Sequence, residues 1–340
     1  MAIKLPKEFH FSHDYAFFLH DILSDIVVSG EKSRIFDTKF EFKSKEHGKQ
    51  FKLVKKWDLF DWLEENGYKD VIYETIYKQV YVAILSDFCQ FIYEALKNSE
   101  KGKLVVAYTL IRKPLRENLL ILEWLLSDPQ SFIDKFYHED PETYAPQKIS
   151  KDRKIEIIQA AVNKTKFSEM FKSSFIYELR YEKTKPFSFE MLWHHGTHLV
   201  TTFNNIQTTR QNFNFIFSNN EDRYEQWKHF YSLLPFLLYY TVIVRKALVS
   251  TFAKRCKSII DLIDMQRDFG FILYAGNSSY VSNNKNFLRI VNDIKNTLTL
   301  KCPKCSKDIS FGVGNLKSFY QKLKIRCFHC KSVLQFEQTE

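Results

Sequence analysis

Hydrophobic and polar positions along the chain follow two periods, and the helical one dominates. From Asp70 onward apolar residues recur at three- and four-residue steps for some two hundred residues, with Asp70 as an N-cap for a helix running to about Lys97. A second long helix is expected from Leu104 to Leu126. It is apolar nearly all round, so it belongs in the middle of its domain. Ser127-Asp128-Pro129 should stop it and cap its successor at 130–138, because proline cannot continue the hydrogen-bond ladder but suits a first turn. Further helices are predicted at 151–163, 168–182, 188–202, 222–258, 258–270 and 285–297.

The first seventy residues follow a different pattern. Phe36, Thr38, Phe40 and Phe42 alternate with polar neighbours, and Phe51-Lys52-Leu53 alternates again after Glu46-His47-Gly48, which predicts a β-hairpin. A short helix from Trp57 to Glu65 should follow and stop at Asn66-Gly67. Alternation at Asn212–Phe217 predicts one further extended piece among the helices. The fold class is therefore mainly α: a multi-helix bundle with a small N-terminal β-hairpin appendage and a C-terminal β zinc ribbon. The expected domains are an appendage at 1–69, a helical domain at 70–299 and the ribbon at 300–340.

Composition narrows the class. With 45% hydrophobic and 26% charged residues in a chain of 340, disordered and collagen-like architectures are excluded. Nine glycines and eight prolines are too few for the turns of a many-stranded sandwich. Met1–His10 lacks the apolar run and small-residue cleavage site of a secretory signal. The longest apolar run, Phe230–Val244, is interrupted by Pro235 and followed by Arg245 and Lys246. It falls short of the roughly twenty residues a membrane span needs, so a buried helix is expected. A cytoplasmic protein without a membrane partner follows from these readings. The formal charge of +10 makes nucleic acid a plausible partner.

Four of the six cysteines form two C-x2-C pairs, Cys302/Cys305 and Cys327/Cys330, separated by a 21-residue spacer. Each pair can present two thiolates from a tight knuckle, and two facing knuckles can surround one tetrahedral zinc ion. A ribbon with structural Zn2+ is expected, because four protein ligands leave no open position. Residues 301–340 carry seven lysines and one arginine against three acids. Lys322, Lys324 and Arg326 fall on one strand face by the two-residue period, with Phe319 and Tyr320 just before them. Such a face can follow a phosphate backbone and stack a base, or equally dock a neighbouring protein.

Two groups in the helical region could carry chemistry. Arg112-Lys113-Pro114-Leu115-Arg116-Glu117-Asn118 interrupts a segment otherwise made of Leu, Val, Ile and Trp. Pro114 should kink that helix, and the charges need either an ion-pair network with groups such as Glu123 or a polar cleft. Glu190, His194 and His198 recur at steps of four, stacking a carboxylate and two imidazoles on one helical face. Satisfied histidines, a metal site and a base–acid pair are all compatible with that spacing. The H-E-x-x-H signature of zinc hydrolases and the G-x4-G-K-[ST] phosphate loop are absent.

Taken together, the R-x3-R-E segment ahead of Trp-Leu-Leu-Ser-Asp-Pro and the histidine-bearing helix some eighty residues later resemble bacterial all-helical proteins of the HEPN superfamily over residues 70–260. That resemblance implies an RNA-directed effector of a bacterial phage-defence or toxin system, with metal-independent endoribonuclease activity. The superfamily's R-x4-6-H motif would map onto Arg223 to His229. Cleavage needs a base for the 2′-hydroxyl proton and a cation for the phosphorane charge. Arg112, Arg116 and Glu117 with His194 and His198 form the first candidate set, and Arg223 with His229 the alternative. The competing function is a non-catalytic nucleic-acid- or protein-binding scaffold. RNA, a protein bound through the ribbon and a second copy in a homodimer are the partners to expect.

Overall fold

A computed structural model describes residues 4–185, 187–202, 207–216, 218–253, 257–277 and 279–336. The chain is mainly helical and carries one small antiparallel sheet near its C-terminus. Helix α1 spans His10–Lys32, followed by the short α2 (Lys45–Phe51) and α3 (Leu59–Glu65) and by the long α4 (Lys69–Glu100). Helices α5 (Leu104–Lys113) and α6 (Leu119–Ser127) are joined without a break through one π-helical turn, Pro114–Asn118. Then come α7 (Pro129–His138), α8 (Lys151–Asn163), α9 (Ser173–Tyr181) and α10 (Phe189–Thr197). The long α11 (Asn220–Val249), α12 (Lys257–Asn277), the single turn α13 (Ser279–Ser282) and α14 (Lys285–Thr297) complete the helical body. Residues beyond it form α15 (Val313–Lys322), β1 (Lys324–Arg326) and β2 (Val333–Gln335).

The centre of the body is the α5–α6 segment against α4 and α11. Every residue from Leu119 to Leu126 is buried, as its unbroken apolar sequence requires. The apolar run in α11 is a core helix too. It is the one helix among the described residues long and apolar enough to cross a membrane, and 89% of that stretch is buried inside the protein. Pro114 acts as its chemistry dictates: without an N–H it cannot join the ladder, and the backbone widens so that the Leu119 N–H reaches the Pro114 carbonyl. Side chains from α9 occupy the neighbouring carbonyls. Arg180 Nε donates to Leu115 O at 2.6 Å and Tyr181 Oη to Arg116 O at 2.6 Å.

Caps agree with the sequence where the sequence supplies them. Asp128 accepts the Ser131 N–H at the start of α7 and Ser150 accepts the Arg153 N–H at the start of α8. Asn219 and Asp222 close a reciprocal capping box on α11. Helices α8 and α14 have the predicted bounds; α9, α10 and α11 are shorter than predicted, with α10 ending at Thr197.

The N-terminal hairpin does not form. Residues 38–42 are irregular, and Ser44, accepting the His47 N–H, starts α2 where the hairpin's turn was expected, so that Phe51 ends a helix. The alternating phenylalanines instead enter an aromatic cluster: Phe40 lies 5.1 Å from Phe42, 5.7 Å from Phe51 and 5.4 Å from Tyr68. Alternation there records which rings reach that cluster, and no strand partner exists among the described residues of the region. Helix α1, within the stretch read as an appendage, is a core element. Tyr15, Ala16, Leu19, Leu23 and Ile26 are fully buried, and the helix packs on α4, α11 and α12. The extended piece expected at 212–217 is a turn at 214–216, with Gln211 and Phe215 at positive φ; Phe217 lies outside the described residues.

The C-terminal residues are seated on this body through α15. Phe319 packs 5.0 Å from Phe269, while Tyr320 lies 5.5 Å from both Phe11 and Phe18 on α1. Gln266 Nε2 donates to Tyr320 O at 2.6 Å. Gly270 is needed at this crossing, since a Cβ there would meet the Tyr15 ring and stand 2.8 Å from Tyr320.

Candidate functional sites

The two candidate groups of the helical body meet. Helix α10 packs between α5 and α9, with Gly196 accepting a hydrogen bond from Thr109 Oγ1 at 3.2 Å, and its first turn points Glu190 at the π-helical turn. Glu190, 2% exposed, is clamped between two cations or potential cations. One oxygen pairs with Arg116 and the other faces His194 Nε2 at 3.3 Å. His198 is exposed at the end of the helix, its ring stacked on His194 with centroids 5.9 Å apart. Burial lowers the pKa of His194, Glu190 opposes that shift, and Lys183, His198 and Arg112 add to it. Arg112 and Arg116 are both half-buried.

Tyr181 forms the floor beside the cluster. Its ring lies under the Arg116 guanidinium at 5.5 Å, the Lys154 ammonium at 5.4 Å and the Arg180 guanidinium at 5.0 Å. Burial, reinforced by Arg116 and Arg180, lowers the pKa of Lys154. Arg180 is the residue that sequence reasoning missed. It is fully buried and holds both oxygens of the equally buried Glu123, at 2.7 and 2.8 Å. The visible signal was an arginine inside the apolar face of α9, the counterpart of the acid inside α6.

The charged segment thus splits by side. Glu123 enters a sealed ion pair and Arg116 a half-exposed one. Lys113 and Asn118 reach Asp87 of α4, at 2.8 and 2.7 Å. The Glu117 side chain, on the same turn, has no hydrogen-bond or ion-pair partner among the described residues.

Arg223 and His229 are not brought together. The Arg223 guanidinium donates to Ser218 O at 3.2 Å and Asn220 Oδ1 at 2.6 Å, at the N-terminal end of α11. His229 sits lower on that helix, its Nδ1 3.1 Å from Tyr108 Oη, and burial pushes its pKa down to about 4.

At the C-terminus, Cys302, Cys305, Cys327 and Cys330 bring all four Sγ atoms within 4.8 Å of one another. The two knuckles repeat one geometry. Cys302 N donates to Lys307 O and Cys327 N to Ser332 O, both at 2.9 Å, and the residues after the second cysteines, Ser306 and Lys331, adopt φ of 58° and 62°. Ligands about 2.3 Å from a tetrahedral ion stand about 3.8 Å apart. The Cys302–Cys330 and Cys305–Cys327 separations are 3.6 and 3.7 Å. The four thiols could therefore hold a metal ion of zinc's size, and Ser332 Oγ, 3.0 Å from Cys330 Sγ, adds a hydroxyl partner.

The basic residues of this module need one correction. Lys324 and Arg326 share the exposed face of β1, opposite Gln335 and Val333, but Lys322 ends α15 and is separated from the strand by Leu323 at φ 51°. Phe319 and Tyr320 cannot stack a base, because the core claims them. All eight basic side chains between Lys301 and Lys331 are exposed, and none has an acidic partner within 4 Å among the described residues. Phe328, in the second knuckle, is 55% exposed. Comparison with family models, with curated proteins and with solved structures finds no match to this chain.

Proposed function

We propose that the chain is an RNA-directed effector. Its helical body would cleave RNA without a metal, and its C-terminal module, held by structural zinc, would track a phosphate backbone. The observation that carries this reading is the continuous chain Arg116–Glu190–His194–His198. Segments 74 residues apart converge on one half-exposed edge that holds two imidazoles. Glu190 Oε1 faces His194 Nε2 at 3.3 Å, and burial lowers the pKa of that ring, which favours its neutral, proton-accepting form. In this reading His194 takes the 2′-hydroxyl proton as that oxygen attacks phosphorus. The P–O5′ bond breaks, His198 gives a proton to the departing 5′-oxygen, and Arg112 and Arg116 stabilise the phosphorane charge. The products are a 2′,3′-cyclic phosphate and a 5′-hydroxyl. The eight exposed cations of the module supply the affinity, which is salt-dependent as counterion release requires. Residence in the cytoplasm and a role in bacterial phage defence or as a toxin are part of the same proposal and rest on the resemblance to the HEPN superfamily.

Incubating the purified chain with total RNA tests it, beside Arg116→Ala and His198→Ala. Each substitution is expected to lower the cleavage rate about 100-fold or more, the scale of a general acid–base or charge-stabilising group. Equal cleavage by both variants would remove the site assignment. Retention of RNA without cleavage would leave the scaffold reading, which the mutual neutralisation of Arg116 and Glu190 favours.

A further inference from the structure

A cleft lies beside the Glu190 cluster, on the same helix α10. It has a volume of about 480 Å³, within the range of small-ligand sites, and it opens between α10 and the first turns of α11. His195, next in sequence to His194, lines it, as do Phe213 and Phe215 of the preceding loop. That loop is bonded to the His198 segment: Asn214 Nδ2 donates to His198 O at 2.7 Å and Asn214 N to Leu199 O at 2.9 Å.

His229 also lines the cleft, and its protonation follows from its neighbours. Tyr108 Oη has a single proton and donates it to the carbonyl of Gln226 at 2.9 Å, since a carbonyl can only accept. At 3.1 Å from His229 Nδ1 the same oxygen must therefore accept, which puts the ring hydrogen on Nδ1 and leaves Nε2 a bare lone pair. Phe189, edge-on at 5.4 Å, holds the ring in place. Nε2 is buried and has no hydrogen-bond partner among the described residues. What enters must bring an N–H or O–H donor. Two carboxylates, Asp222 and Glu225, also line the cleft and oppose an anion there, so a phosphate group is not the part that enters. Phe213, 43% exposed, and Phe215 offer aromatic faces to a planar ring.

We propose that this cleft receives one unpaired nucleobase of the RNA strand, seated by an N–H bond to His229 Nε2, with the adjoining phosphate left outside at the His194–His198 edge. This rests on the RNA reading above and adds to it the part of the substrate that is recognised. The base is taken from a single strand, because a paired base has its Watson–Crick N–H groups engaged.

Titrating nucleosides into the full chain labelled with 15N-histidine separates this claim from cleavage. Cytidine, adenosine, guanosine or uridine should shift the His229 Nε2 resonance and saturate, whereas 1,3-dimethyluracil, which has no N–H, should not. Phe213→Ala, at the partly exposed rim, should weaken nucleoside binding about 10-fold, and His229→Phe should abolish it. Arg116→Ala should leave the nucleoside response intact while losing cleavage; a native chain that shows the shift yet cleaves no RNA would overturn the nuclease and keep the cleft. No shift with any nucleoside at millimolar concentration, or an equal shift with 1,3-dimethyluracil, would overturn the cleft.

Discussion

Glu123 and Arg180 are both fully buried, and each is the other's charge partner. Removing one partner leaves an uncompensated charge among leucines, so Glu123→Gln and Arg180→Met should each cost about 3–5 kcal/mol in urea unfolding. Joint replacement by apolar residues of like volume should cost much less. His229 gives a pH dependence of definite sign. Its folded-state pKa of about 4 lies below the ordinary 6.5, so the fold holds the neutral ring. Stability from that ring is complete above about pH 6.5 and falls as the pH drops toward 4, by about 3 kcal/mol in total. His229→Gln should therefore flatten the acid side of the stability profile relative to the native chain when unfolding is compared at pH 7.5 and 4.5. His13 and His194, whose pKa values are also lowered by burial, remain in both proteins, so the difference isolates one group.

At the scale of elements, local signals located helices well where caps and period agreed. The apolar period alone gave the bounds of α8 and α14, and Ser150 and Asn284 cap their starts. Asn219→Ala should cost about 1 kcal/mol in thermal or chemical unfolding, because two orphan N–H groups of α11 lose their acceptor. Period alone misled at Phe36–Phe42, where an aromatic cluster produced strand-like spacing without a strand. Helix α1 shows the opposite failure. Phe11, Tyr15, Phe18, Leu19, Ile22, Leu23 and Ile26 carry the three-and-four spacing plainly, yet the neighbouring alternation drew the whole region into an appendage. Pro114 was legible as a distortion. Its form, a π-turn with carbonyls bonded by Arg180 and Tyr181, depended on a helix more than sixty residues away.

For the whole molecule, the four cysteines and α15 act together. The cysteine knuckles lie at one end of a module whose other end packs Phe319 and Tyr320 onto α12 and α1. Chelation should therefore lower the unfolding temperature of the full chain and change the near-ultraviolet circular dichroism of the tyrosines at that junction. Bound metal at one equivalent, lost in Cys302→Ser and Cys327→Ser, is the accompanying measurement. Gly270→Ala tests the junction from the body's side. The added methyl collides with the Tyr15 and Tyr320 rings, and a loss of about 1–3 kcal/mol is expected.

The sequence by itself determined the helical class, most helix starts and the four cysteine positions that could hold a metal, because caps, periods and C-x2-C spacings are short-range and each is complete within a few residues. Only the tertiary structure decided that Glu190 pairs with Arg116, that Glu123 turns to Arg180, and that Phe319 and Tyr320 serve the core. Those outcomes follow from helices packed across long sequence separations. A charge finds its partner by burial and direction in space, and neither is written in the residues beside it.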